Sequence, residues 1–299
     1  MANVREDSIP HVVRTAHEQR QAGVWNATVS QIDEVNSSIR LIRLGIVGAA
    51  PERTHLPGQY IDLSIPSIPT IGGFTITSPP LTTRDPTSPH IELAIQRSPN
   101  NPPAAYLWRA TPDILHAPVS FLIGGNFVYP PAHLTHDECS KIDRAVFVAG
   151  GVGINPIMSM LSAMHARGGR KLGGMPRRVS VLYTCRRGRD AAGEPEKVLF
   201  EDRLAGLAQK WAGSEVVEYR YTFFETSGQG RQNESSVAIR HQARRIRHDD
   251  LLEAIGPEDD RANTVVYVCG LPAMTDEFVE LLKTQPGLSE KQVCCEKWW

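Results

Sequence analysis

The stretch "RAVFVAGGVGINPIMSMLSAMHARG", residues 144–168, constrains this chain more than any other. A compact apolar run passes through Gly150, Gly151 and Gly153. It continues into a segment with Ile157, Met160, Leu161 and Met164 at helical spacing, and Pro156 falls in the first turn, where its missing N–H costs little. Glycine loses more conformational freedom on folding than any other residue. Three of them at a strand–helix junction mean either that a ligand approaches the main chain or that strand and helix pack unusually closely. The junction also opens a series. Strand-like "RRVSVLYT", helix-like "EKVLFEDRLAGLAQKW", strand-like "EVVEYRYTFF", helix-like "DDLLEAIG", strand-like "NTVVYVCG" and helix-like "PAMTDEFVELLKT" follow it. Alternation of this kind predicts a doubly wound parallel sheet that binds ligands beyond the carboxyl ends of its strands. The charged segment 225–246 is expected to be irregular.

The first half reads differently. From about Val24 to Phe127, "WNATVSQIDEV", "SIRLIRLGIV", "GQYIDLSI", "GGFTITS", "HIELAIQR" and "APVSFLIGG" are short strands between Pro- and Gly-rich breaks. One short helical run, "PAAYLWRA", interrupts them. A β-barrel domain over 23–135 is therefore predicted, after an N-terminal extension of residues 1–22 and before an α/β nucleotide-binding domain over 136–299.

Charge excludes some functions. Lys plus Arg total 32 and Asp plus Glu 33, so no global basic field attracts nucleic acid. No apolar stretch approaches the ~20 residues of a membrane span. Cys139, Cys185, Cys269, Cys294 and Cys295 form no CxxC pair and no zinc spacing, so no metal site is expected. An odd cysteine count reads as reduced thiols in an intracellular, reducing compartment. The mix of Arg5, Arg14 and Arg20 with Glu6, Asp7 and Glu18 leaves cytoplasm and mitochondrion both open.

The G-G-x-G-I-x-P spacing, with "VYVCGLPAM", "GGFTITSPP" and the "CCEKWW" ending in the expected order, resembles the ferredoxin–NADP reductase superfamily. Within it, the likeness is greatest to the oxidoreductase NAD-binding domain-containing proteins, over roughly residues 23–299. The resemblance implies a flavin-binding barrel followed by an NAD(P) domain. Gly150, Gly151, Val152, Gly153, Ile154, Asn155 and Pro156 would then form the pyrophosphate loop, and Cys269, Gly270 and Met274 the second nucleotide motif. Cys269 would position the nicotinamide. Phe74 would cover one face of the flavin, with Thr75 and more weakly Ser78 hydrogen-bonding at N5, although "FTIT" is equally an ordinary strand. Glu296 would relay a proton or orient the nicotinamide, or be a solvated charge. Trp298 would stack on the flavin's other face, or fill a surface groove. Arg186, with Arg187 and Arg189, would meet the 2′-phosphate of NADP, or be solvated surface.

Two departures stand out. Gly72 occupies the place of the flavin motif's arginine, and "NPPA" replaces the family's Gly-x-x-Ser at the barrel helix, with Asn101 and Ala104 in place of glycine and serine. The helix N-terminus is expected to retain some anion affinity, and Gly72→Arg to tighten FAD. The expected function is a flavin-dependent NAD(P)H oxidoreductase. Hydride would pass from NAD(P)H to FAD at N5, and electrons onward to a small-molecule or protein acceptor. The alternative is a nicotinamide-nucleotide-binding sensor or partner-binding module that has lost its flavin.

Overall fold

A computed structural model of the chain describes residues 10–48, 54–166, 176–211, 218–226, 234–236 and 239–297. It divides into two compact units, at Tyr129/Pro130, with Met158–Ala166 grouping with the first.

The first unit is built on a barrel-like, antiparallel six-stranded sheet. Its strands are β1 (Trp25–Asn36), β2 (Ile39–Ile46), β3 (Tyr60–Ile65), β4 (Ile68–Thr75), β5 (His90–Gln96) and β6 (Pro118–Gly124), in the order β4-β3-β6-β1-β2-β5. A bridge between Ile76 and Leu93 links the end of β4 to β5. Alternation along the strands sends Val29, Ile42, Leu44, Ile61, Leu63, Leu93, Phe121 and Ile123 into one core, and Trp25 stacks on Phe121 there. A short helix after β5, Pro102–Leu107, adds Ala104 and Leu107 to that core.

The described residues before Gly23, from Pro10 on, pack against this sheet. A helical turn, α1 (His11–Arg14), lies on β4, and the Gln21 amide donates to the Ile123 carbonyl at 2.8 Å. His11 Nε2 and Arg20 Nε each lie 2.8 Å from the buried Asp62 carboxylate. Burial pushes that carboxyl upward. The hydrogen bonds from His11 and Arg20 outweigh it and hold Asp62 below the ordinary range.

The second unit is a seven-stranded sheet. Its strands are β7 (Arg144–Gly150), β8 (Arg178–Cys185), β9 (Glu218–Glu225), β10 (Glu234–Ser236), β11 (Ile239–Gln242), β12 (Thr264–Cys269) and β13 (Val293–Glu296), in the order β10-β11-β9-β8-β7-β12-β13. All neighbours are parallel except β10 and β11. The central strands read as near-continuous apolar runs because both faces are covered. Helices α2 (Pro102–Leu107) and α3 (Thr111–Ile114) belong to the first unit, and α4 (His136–Ser140), α5 (Ile154–Ala166), α6 (Glu201–Trp211), α7 (His248–Ile255) and α8 (Pro272–Lys283) follow along the chain. The chain thus forms the expected barrel-type sheet followed by a doubly wound parallel sheet. Within the stretch expected to be irregular, Ile239–Gln242 form β11, which extends the sheet beside β9. Among the described residues, no helix is long and apolar enough to cross a membrane.

His55 gives the first unit a titratable weak point. It is 1% exposed, and its Nε2–H donates to the Ser78 carbonyl at 3.1 Å. Burial pushes its pKa down to about 4, against a small opposing effect of the Ser78 bond. In the unfolded chain a histidine titrates near ~6.5. Below that value the unfolded chain takes up a proton that the folded chain refuses until pH reaches about 4. Stability is therefore fully present above ~6.5 and falls by about 1.4 kcal/mol per pH unit below it. Urea unfolding of wild type and His55→Gln at several pH values tests this. The wild type should lose stability on acidification more steeply, by one proton. Parallel curves would remove His55 as the source.

Candidate functional site

β7 and β12 are neighbours in the sheet, and the chain leaves them in opposite directions along it: β8 and β9 lie beyond β7, β13 beyond β12. This is the strand-order reversal at which open α/β sheets bind ligands. Cys269, the last residue of β12, pairs with Ala149, so Gly150 and Gly270 emerge side by side.

The four glycines here do two different jobs. A Cβ on Gly153 would stand 2.2 Å from the Cys269 carbonyl oxygen, and one on Gly270 would stand 2.3 Å from Met274 Cε and 3.0 Å from the Gly150 nitrogen. A Cβ on Gly150 would meet Met274 Cε at 3.0 Å. These three let two strand-end loops pack backbone to backbone under the Met274 side chain. Gly151 is different. It has φ +55°, a conformation that L side chains rarely adopt, and a Cβ there would meet nothing within 4 Å. It begins a tight turn, Gly151–Gly153, that leads directly into α5. Open space above a glycine at a helix N-terminus, where N–H groups lack intrahelical partners, suits an anion. Val152 is half-buried, whereas Ile154, Asn155 and Pro156 are buried in the first turn of α5 and fix its direction.

Glu296 ends β13 opposite Cys269 in the ladder. The sheet thus brings together Cys269, Gly270, Met274, Glu296 and the glycine turn. Cys269 is fully buried, and burial, with the nearby Glu296 and Cys295, pushes its thiol far above the ordinary range. It is a neutral thiol, unsuited to nucleophilic attack. Trp298 lies outside the described residues.

The arginine loop after β8 separates into three roles. Arg187 is held by Glu201 at 2.7 Å and Glu225 at 3.2 Å, and lies over the Phe223 ring. Burial opposes its charge, but the two carboxylates more than offset this, and its pKa is raised. Arg189 donates to the Gly193 carbonyl within its own loop. Arg186 is exposed.

The barrel residues are not brought together. In β4, Gly72 pairs with Leu63 and Phe74 with Ile61, two core residues; Gly73 pairs with Asp62 and Thr75 with Tyr60 on the opposite face. Phe74 accordingly packs on the barrel core. The Ser78 hydroxyl accepts the Glu92 N–H at 3.0 Å. The sequence pattern missed Asp62, His11 and Arg20, whose association spans 42 and 51 residues. It also missed a cavity of ≈ 440 Å³ near the amino-terminal ends of β8 and β9, where Arg178, Arg220, Arg240 and Arg244 pair with Asp260, Glu218, Glu253 and Asp250. Among the described residues, no group of three or more His, Cys, Asp or Glu is placed to hold a metal ion.

Comparison with known proteins agrees with this geometry. The family profile "Oxidoreductase NAD-binding domain" matches residues 147–280, from within β7 to within α8. Oxidoreductase NAD-binding domain-containing protein 1 of Danio rerio is 29% identical over 294 residues, covering 97% of each chain. Among solved structures, the CS-b5R domains of human Ncb5or in the NAD+ form superpose with a TM-score of 0.64 at 16% identity, over 92% of this chain and 70% of that one. A ferredoxin NADP+ reductase from Neisseria gonorrhoeae with bound FAD and NADP gives 0.60 at 13% identity, over 93% and 100%. At such identities the two structures speak for the fold.

Replacing the glycines one at a time should separate their jobs. Gly153→Ala drives a methyl group into the Cys269 carbonyl and should lower the melting temperature markedly, since overpacking of this kind costs about 1–3 kcal/mol. Gly151→Val should fold with a smaller loss, about 1–2 kcal/mol for its left-handed backbone, and should lose NADH binding followed by fluorescence. Undiminished NADH affinity in folded Gly151→Val would dissociate the turn from the nucleotide.

Proposed function

We propose that this chain, which belongs with the ferredoxin-reductase-like proteins carrying an oxidoreductase NAD-binding domain, is an NAD(P)H oxidoreductase-type module that binds nicotinamide nucleotide at the β7–β12 crevice. The observation that carries the reading is Gly151, with its positive φ and the open space beside it at the start of α5. The amides of Gly151, Val152 and Gly153 and the N-terminus of α5 would hold the pyrophosphate. Gly270, kept free of a side chain by its contact with Gly150 and Met274, would form the floor beneath the nicotinamide. Cys269 supports that floor from within the core, and Glu296 beside it offers a carboxylate to the carboxamide end. The bound nucleotide supplies hydride at its nicotinamide C4; the residues supply binding and orientation.

For the hydride acceptor two readings compete. FAD is present in the Neisseria gonorrhoeae reductase, and Thr75 and Phe74 stand where the resemblance puts the flavin contacts. The flavin-free reading, a nucleotide-binding sensor or partner module, is favoured by the closed packing at Gly72 against Phe74 and Pro103. With the first-turn N–H groups of the barrel helix absent or already used, the residues present do not fit a flavin's phosphates.

Coenzyme choice rests on Arg186 alone, because Arg187 and Arg189 already hold the protein's own carboxylates and carbonyls. A charge-assisted pair with a 2′-phosphate contributes about 1.5–3 kcal/mol, or roughly ten- to a hundred-fold in affinity. NADPH should bind more tightly than NADH by that factor, and Arg186→Ala should abolish the difference while leaving NADH affinity unchanged. Equal affinities in the wild type would make Arg186 surface charge. Arg187→Ala should instead lower stability, since it leaves Glu201 and Glu225 half-buried without their shared cation.

A further inference from the structure

We infer that the barrel has closed the seat in which a flavin's phosphates would lie, and that the chain binds nicotinamide nucleotide without a resident FAD or FMN. This rests on the nucleotide-binding reading above and deepens it.

The argument starts at the first turn of α2. A phosphate bound there needs free N–H groups, and helix starts ordinarily provide them. Here Pro102 and Pro103 have none. The Ala104 N–H donates to the Asn101 side-chain oxygen at 3.2 Å and the Ala105 N–H to the Asn101 carbonyl at 2.8 Å. Even the Asn101 N–H is engaged, by the Ser98 carbonyl at 3.2 Å. From 101 to 105 every backbone donor is absent or used. The expected anion affinity of this helix therefore has no donors to act through, and that expectation is corrected.

The opposing wall is closed as well. A Cβ on Gly72 would lie 2.5 Å from Phe74 Cε2 and 2.7 Å from Pro103 Cβ. An arginine there has no path outward without displacing α2, so Gly72→Arg, expected from sequence to tighten FAD, should destabilise the barrel instead. Other cations of this region face elsewhere. Arg40 and Arg97 lie over Trp108 and Arg109 over Tyr106, toward the other end of α2.

The far face of β4 is taken by the N-terminal segment. The His11 ring sits so close to Gly73 that a Cβ there would be 2.2 Å from its Nδ1, and it meets Tyr60 edge-on with centroids 4.9 Å apart. Tyr60 pairs with Thr75. The hydroxyl that would address flavin N5 thus shares the face covered by the chain's own His11, while the aromatic meant to cover the ring packs into the barrel. Both flavin-facing candidates of β4 are thus already engaged by the chain itself.

The experiment uses the full chain. Protein is incubated with excess FAD, FMN or riboflavin, dialysed and read by absorbance; NADH affinity is then measured with and without FAD. Wild type should retain no flavin, and NADH affinity should be unchanged by FAD. The variant Pro102→Ala/Pro103→Ala, with folding checked by circular dichroism, restores two N–H groups. It should raise FMN affinity over riboflavin roughly tenfold for each donor that reaches the phosphate. Stoichiometric retention of any of the three flavins by the wild type overturns the inference. Absence of NADH binding would instead sink the nucleotide-binding reading, so the two failures are distinguishable.

Discussion

The contact between Gly153 and the Cys269 carbonyl governs the second unit. No side chain fits between them. Because the chain accepts glycine there, the turn after β7 can lie directly on the end of β12, and α5 can begin at Ile154 with its N-terminus facing the crevice. Gly150, Gly270 and Met274 complete the seal from the other side. The outward-facing Gly151 is then the one position in the turn where space is left over. Ligand binding and strand–helix packing are commonly set against each other as explanations of glycine-rich loops. Here the two are compatible: close packing at 153 and 270 goes with open space beside Gly151.

Much of this was legible in the sequence. The alternating strands of the first half, the β–α series of the second and the glycine turn between them are local patterns, and local patterns survive folding. Glu296 was legible as part of a C-terminal motif; that the motif is an edge strand running parallel to β12, opposite Cys269, was not, because four residues show no period. The fate of the arginine loop was hidden for a different reason. Arg187 takes its partners from positions 201 and 225, and nothing near it in the chain announces them.

The faces of the candidate flavin residues follow from a simpler rule. A motif fixes residue identities, whereas a strand fixes which face each one occupies. Phe74 and Thr75 are consecutive, so in a regular strand they must point to opposite faces. Period-two alternation, together with the apolar neighbours Ile61 and Leu63, was enough to put Phe74 inward. The Asp62 carboxylate deserved equal notice, since a lone acid in an otherwise apolar strand pattern must find cations, and His11 and Arg20 are what it finds.

The helix α2 separates two ideas often merged. A helix N-terminus attracts anions through its dipole and binds them through its free N–H groups. With two prolines and an asparagine cap, α2 retains a dipole of only six residues and offers no donor from its first turn. The same changes strengthen the helix as a structural part: proline suits the first turn, the cap satisfies Ala104, and Pro103 seats against Gly72. With no side chain at Gly72, α2 closes onto β4, and its first-turn donors are satisfied within the chain. The space beside Gly151 has no such route to closure, because filling it requires a side chain on a backbone that only glycine adopts without strain.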